Sequence, residues 1–132
     1  MTIPGEPVAK GRPKFFNGHA ITPTKTANYE TLVKELYWAK FAGKPMLQGQ
    51  IKMTVRAYWT PPKNVSKRKR QAMIDGIDRP TKRPDADNIA KAIADALNGM
   101  AYVDDSAIVD LRVLKYWGEL AKVDIEIEEV SA

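Results

Sequence analysis

Ile51-Lys52-Met53-Thr54-Val55-Arg56-Ala57-Tyr58-Trp59 sets the frame of this chain. Ile51, Met53, Val55, Ala57 and Trp59 face one way and Lys52, Thr54, Arg56 and Tyr58 the other. That period of two predicts a half-buried strand over residues 50–59. Pro61-Pro62 ends it. Upstream, Tyr29, Leu32, Val33, Leu36, Tyr37 and Lys40 recur at helical spacing. They predict a helix over 24–42, capped by Thr24 or Thr26 and stopped by Gly43 and Pro45. Downstream, Ser66 starts a short helix reaching Asp75-Gly76, and residues 77–86 form a loop holding Pro80 and Pro84. A second helix spans 87–98, with Ile89, Ala92, Ile93, Ala96 and Leu97 inward and Asn98-Gly99 at its end. Residues 107–116 and 121–130 read as strands joined around Gly118 as an antiparallel hairpin. This order predicts one α+β (mixed α/β) domain over residues 1–132, a small central sheet packed by helices.

Composition narrows the chemistry. Hydrophobic residues make up 44% of the 132, enough for a core. No apolar run is long enough to span a membrane, and Met1 to Gly5 does not open a signal peptide. There are no cysteines, so disulfides and thiolate sites are excluded and a cytoplasmic protein is expected. One histidine, His19, cannot build a histidine-based metal site and reads as a surface residue. Any metal ligands are then oxygens, which favours Mg²⁺ or Mn²⁺. The net charge is +5. It is unevenly spread: residues 52–91 hold eleven Lys and Arg against four Asp, and residues 119–130 hold five acids against one Lys. Polarity of this kind points to nucleic acid.

The richest stretch for chemistry is Arg83-Pro84-Asp85-Ala86-Asp87-Asn88-Ile89-Ala90-Lys91. Asp85 and Asp87 share a side if the chain is extended there, and Lys91 lies one helical turn beyond Asp87. Asp104-Asp105 follow at a distance that allows either to return along the helix, about 15–18 Å long, to the first pair. Carboxylates supply hard ligands for Mg²⁺, and a lysine can neutralise charge on a phosphoryl oxygen or hold the attacking water. Each feature has a plainer reading. Asp87 can be an N-cap, Asp85 a helix-dipole partner, Asp87–Lys91 an exposed ion pair worth about 0.2–0.5 kcal/mol, and Asp104-Asp105 a polar turn.

Lys67-Arg68-Lys69-Arg70 places four cations in the first turn of a helix, where the dipole opposes them. Phosphate contacts explain them, as does a solvated surface. Arg79, Lys82 and Arg83 lead into the acidic stretch. Lys10, Arg12 and Lys14 precede Phe15-Phe16, which suit either base stacking or the core. Trp38 and Trp59 are expected in the core.

Taken together, Arg83 to Lys91, then Asp95-Ala96-Leu97-Asn98-Gly99 and Tyr102-Val103-Asp104-Asp105, resemble the signature of RusA-family Holliday-junction resolvases. Lys10-Gly11-Arg12-Pro13-Lys14 and the Pro-Pro to Arg70 stretch also resemble its members, many of which are carried by phages and prophages. The resemblance implies a RusA-like fold and a Mg²⁺-dependent homodimer, in which Mn²⁺ can substitute. It implies paired symmetric nicks in a four-way junction during recombination and repair. The family's metal-binding acids match Asp85, Asp87 and one of Asp104-Asp105, with Asp105 preferred; its essential lysine matches Lys91. Three rivals remain: a flap- or fork-selective nuclease, a branched-DNA-binding protein without catalysis, and an RNA-binding protein in which the Asp pairs are only caps.

Overall fold

The computed structural model describes residues 1–11, 14–21 and 24–130. Its elements run β1 (Thr2–Pro4), β2 (Lys14–Phe16), β3 (His19–Ile21), α1 (Thr24–Phe41), β4 (Ile51–Trp59), α2 (Lys67–Ile74), α3 (Ala86–Leu97), β5 (Ile108–Trp117) and β6 (Lys122–Glu129). The fold is α+β, with a four-stranded mixed sheet in the order β1-β6-β4-β5 and a separate β2–β3 hairpin. Among the described residues, no helix is long and apolar enough to cross a membrane.

β4 is central, parallel to β5 and antiparallel to β6. Its five apolar positions are all buried, and they form the core with Ile89, Ile93, Ala96 and Leu97 of α3, Tyr29 and Val33 of α1, and Val123 and Ile125 of β6. Thr54, on the opposite side, is also buried. The expected hairpin of the last two strands is corrected by this arrangement. β5 and β6 do not pair with each other; β4 lies between them, and the connecting turn passes over its end, where the Gly118 N–H donates to the Trp59 carbonyl (2.8 Å). A short connection fixes the antiparallel direction of two strands but leaves room for a third between them.

α3 carries five alanines in twelve residues, strong helix formers, and its buried positions recur at helical spacing. It begins at Ala86 and ends at Leu97, and Gly99 takes a positive φ just beyond. α2 is capped as expected: the Ser66 hydroxyl accepts from the Lys69 N–H (3.1 Å). Thr26 does not cap α1. It lies inside the helix, buried, where its hydroxyl accepts from the Gly11 N–H (3.0 Å). Trp59 is in the core, whereas Trp38 is 65% exposed on the outer side of α1, one position off the buried stripe.

Candidate active site

Asp87 stands in the first turn of α3 and Lys91 one turn later, on the same side of the helix. They line a cavity of about 260 Å³ together with Ala90 and Ala94, Ile108 and Leu111 of β5, and Asp105. Asp105 arrives from a separate segment, and the return of the chain is specified by short contacts. The Met100 and Ala101 N–H groups donate to the Leu97 carbonyl (both 3.0 Å), and the Gly99 N–H donates to the Tyr102 carbonyl (2.9 Å). The Asp105 N–H donates to the Asn98 side-chain oxygen (3.0 Å). Tyr102 is fully buried and its hydroxyl donates to the Ala94 carbonyl (2.7 Å), so the loop is pinned to the helix it runs back along.

Of the adjacent acids, Asp105 lines the cavity and Asp104 does not. The Asp104 carboxylate accepts from the Ser106 N–H (3.2 Å), closing a single 3-10 turn over Asp105–Ala107. Its hydrogen bonds to Ser106 hold its pKa below the usual aspartate value. Among the described residues, Asp87, Lys91 and Asp105 enter no ion pair, so the plainer reading of Asp87–Lys91 as a closed pair does not hold.

Asp85 is not among the residues that line the cavity of Asp87 and Lys91. It is the N-cap of α3 in extended conformation, without a side-chain capping bond. It lines a different groove, of about 600 Å³, with Arg83, Lys25, Thr26 and the 7–11 segment. The shared-side argument needs extended chain through Asp87, but the helix starts at Ala86. Among the described residues, no three Asp, Glu or His side chains lie close enough together to hold a metal ion. The set that does share a cavity, Asp87 and Asp105, suits Mg²⁺ chemically. That ion commonly takes one or two protein carboxylates and fills its remaining positions with water and phosphate oxygens.

The basic residues separate into roles. Lys10 is a structural ion: its ammonium meets Glu30 of α1 (2.7 Å) and Asp95 of α3 (3.2 Å). Burial alone would lower its pKa, but the bonds to Glu30 and Asp95 outweigh it and raise the value. The charge that the sequence reading assigned to phosphate is held here by two carboxylates. Arg12 lies outside the described residues, as does the side chain of Lys14. Lys67, Arg68 and Lys69 are exposed at the start of α2, and Arg70 reaches Glu119 (3.3 Å). Arg79 donates to the Lys115 carbonyl (2.9 Å) with its guanidinium 4.3 Å from the Tyr116 ring. The exposed Lys82 carries its ammonium over Trp117 (5.5 Å).

Two residues enter that sequence reasoning passed over. Lys25 lines the Asp85 groove, beside Thr26, whose hydroxyl accepts from Gly11. Lys115 donates to the carbonyls of Lys82 and Pro84 and lies over Trp59 (5.4 Å), fixing the loop that delivers Asp85. Its partners are main-chain atoms, which leave no mark in a sequence. Lys25 carried a weak signal, as a cation in the first turn of a helix.

The chain is similar over its whole length to the protein named "Uncharacterized protein YqaN" of Bacillus subtilis (strain 168): 40% identical over 138 aligned positions, covering 100% of this chain and 96% of the relative. The family described as "Endodeoxyribonuclease RusA" matches residues 4–128, nearly the full chain. The chain belongs to the RusA endodeoxyribonuclease family.

Proposed function

We propose that this protein is a Mg²⁺-dependent endodeoxyribonuclease, active as a homodimer, that resolves four-way DNA junctions by paired symmetric nicks. The observation that carries the reading is the shared cavity of Asp87, Lys91 and Asp105, two acids and a lysine delivered by different segments. Family membership supports the nuclease class.

In this mechanism Asp87 and Asp105 hold the divalent ion. When bound, such an ion polarises a phosphoryl oxygen and lowers the pKa of a coordinated water. Lys91 places its ammonium beside the phosphoryl oxygens and offsets the negative charge that develops there. Lys67, Arg68, Lys69, Lys82 and Arg83 hold flanking phosphates and set the strand's path. Asp85, the N-cap of α3, stands outside that cavity and lines the neighbouring groove with Arg83 and Lys25, where it faces the strand that the cations guide toward the metal. A four-way junction has approximate twofold symmetry, so two copies of the site reach two opposed strands. A cytoplasmic setting fits a DNA substrate, and a phage or prophage origin fits the resemblance.

The separation of Asp85 from Asp87 favours a second reading, branched-DNA binding without cleavage. One experiment tests both. The protein and its Asp87→Asn variant are incubated with a mobile synthetic junction and with linear duplex, in Mg²⁺, Mn²⁺ or EDTA. Symmetric, metal-dependent nicks that the variant loses while still binding the junction are expected. Tight binding with no cleavage in any divalent metal sinks the nuclease reading, and equal cutting of flap and fork substrates run beside the junction moves the substrate class.

A further inference from the structure

Lys115 stands in an otherwise apolar row of β5. It shares the core-facing side of the strand with Val113 and Trp117, both packed against the core, and it pairs in register with the buried Ala57. A half-buried ammonium is costly unless polar groups replace its water. Among the described residues no carboxylate does so. Its partners are main-chain oxygens. The ammonium donates to the Lys82 carbonyl (2.5 Å) and to the Pro84 carbonyl (3.0 Å), and it lies 5.4 Å from the centre of the Trp59 ring. The Lys115 carbonyl in turn accepts from Arg79 (2.9 Å). The loop from Arg79 to Pro84 is thus wound around one residue of β5.

The side chains beside the two held carbonyls go to a different surface. Arg83 and Asp85 line the groove of about 600 Å³, with Lys25 and Asn88. Arg83 is exposed and enters no ion pair among the described residues. Downstream, the Asp85 carbonyl is tied into α3 by the Ile89 N–H (3.1 Å). Lys115 supplies the tie on the upstream side.

We propose that Lys115 is a positioning residue for DNA binding. By holding the Lys82 and Pro84 carbonyls with one ammonium, it fixes the backbone of Arg83 between them and presents that guanidinium to a phosphate in the groove. This deepens the branched-DNA reading and rests on it. The ammonium is not itself the phosphate ligand, because two carbonyls and an indole face already surround it. An apolar side chain at 115 would fill the same space and leave Arg83 on an untied loop. When a ligand must itself order one free residue, its equilibrium constant falls by roughly 5- to 30-fold.

The test reads affinity for a labelled synthetic four-way junction by fluorescence anisotropy in EDTA, so it does not depend on cleavage. Lys115→Met is expected to weaken binding by roughly five- to tenfold. Lys115→Arg, which keeps donors for both carbonyls, is expected to restore it. Arg83→Gln weakens binding by itself, and adding Lys115→Met to it changes affinity by less than about twofold, because the two residues act as one unit. Additive losses overturn the proposal and make Lys115 a phosphate contact in its own right. A lowered urea midpoint with unchanged junction affinity overturns it too, leaving Lys115 as a loop staple. If Lys115→Met loses its cooperative urea transition, Lys115→Gln, which can still donate to one carbonyl, runs the same cycle and is judged in the same way. A protein with no junction affinity overturns the DNA reading and this role together. Coupled losses in a protein that binds junctions and does not cut them keep the role and overturn the nuclease reading alone.

Discussion

The Tyr102 hydroxyl donates to the Ala94 carbonyl across 2.7 Å, in the place of a helix bond that is missing. In a continued helix the Ala94 carbonyl would accept from the Asn98 N–H, but that group turns to Asp95 (3.3 Å). A side chain from the returning loop thus satisfies the orphan carbonyl at the end of α3 and ties Asp105 to the helix that carries Asp87 and Lys91.

Tyr102→Phe removes that donor and leaves the carbonyl without it, at a cost of about 1–2 kcal/mol in urea unfolding. Junction cleavage should fall more than junction binding, because the loop that positions Asp105 loosens. The hydroxyl also sets an alkaline limb. Burial first, and the nearby Asp105 charge second, raise its pKa. A raised folded-state value means the contribution is full below the unfolded tyrosine pKa, about 10, and is lost as pH rises toward the folded value. Tyr102→Phe should flatten the fall in stability above pH ~10. An unchanged alkaline limb would refute this.

Asp104 and Asp105 should separate cleanly. Asp105→Asn is expected to abolish cleavage in Mg²⁺ while junction binding survives. Asp104→Asn should retain most activity, because that carboxylate serves its own turn through Ser106. Its depressed pKa gives a stability contribution present above the unfolded aspartate value and lost as pH falls. The variant should therefore lose part of the acid limb and nothing near neutrality. Cleavage that fails in Asp104→Asn and persists in Asp105→Asn would reverse the assignment.

Where the sequence was legible, a single periodic signal decided the outcome. β4 alternates and is buried on the predicted side; α3 carries a full apolar stripe and an Asn-Gly end. Asp87 and Lys91 needed only helical spacing. Asp85 lines a different groove from Asp87, and its direction turned on a one-residue question, whether the helix starts at Ala86 or Asp87. Pairing of β5 with β6 was misread because chain proximity stood in for sheet neighbourhood. The β2–β3 hairpin was passed over although Asn17-Gly18, both at positive φ, is a hairpin signal. Lys10 was read from its neighbours Arg12, Lys14 and Phe15-Phe16, whereas its two acidic partners lie 20 and 85 positions away.

Lys10 offers a test that separates fold from DNA contact. Its ammonium joins the segment before β2 to both α1 and α3, in a site where Lys10 and Glu30 are less than one-fifth exposed. Lys10→Met leaves two carboxylates near each other without their cation, which should cost about 1–3 kcal/mol. Adding Glu30→Gln and Asp95→Asn should recover much of the loss, since no unpaired charge remains. Junction affinity at fixed salt should change less than twofold throughout. An intact urea midpoint with a large loss of junction affinity would return Lys10 to the DNA interface.

The cations of α2 should behave in the opposite way. Lys67, Arg68 and Lys69 are exposed in the first turn, where the helix dipole opposes them and the Ser66 cap offsets part of that cost. Replacing all three with Gln should leave stability unchanged or raise it by a few tenths of a kcal/mol. If they neutralise phosphates, each lost contact lowers the slope of log affinity against log salt by about 0.9 on duplex arms. The triple variant should thus bind the junction more weakly at low salt, with the slope reduced by roughly two to three units, and converge on the parent protein at high salt. Its metal requirement should not move, because Asp87 and Asp105 are untouched. An unchanged salt slope, measured by fluorescence anisotropy on a labelled junction over a salt series, would make these residues a solvated surface and shift phosphate binding to Lys82, Arg83 and Lys25.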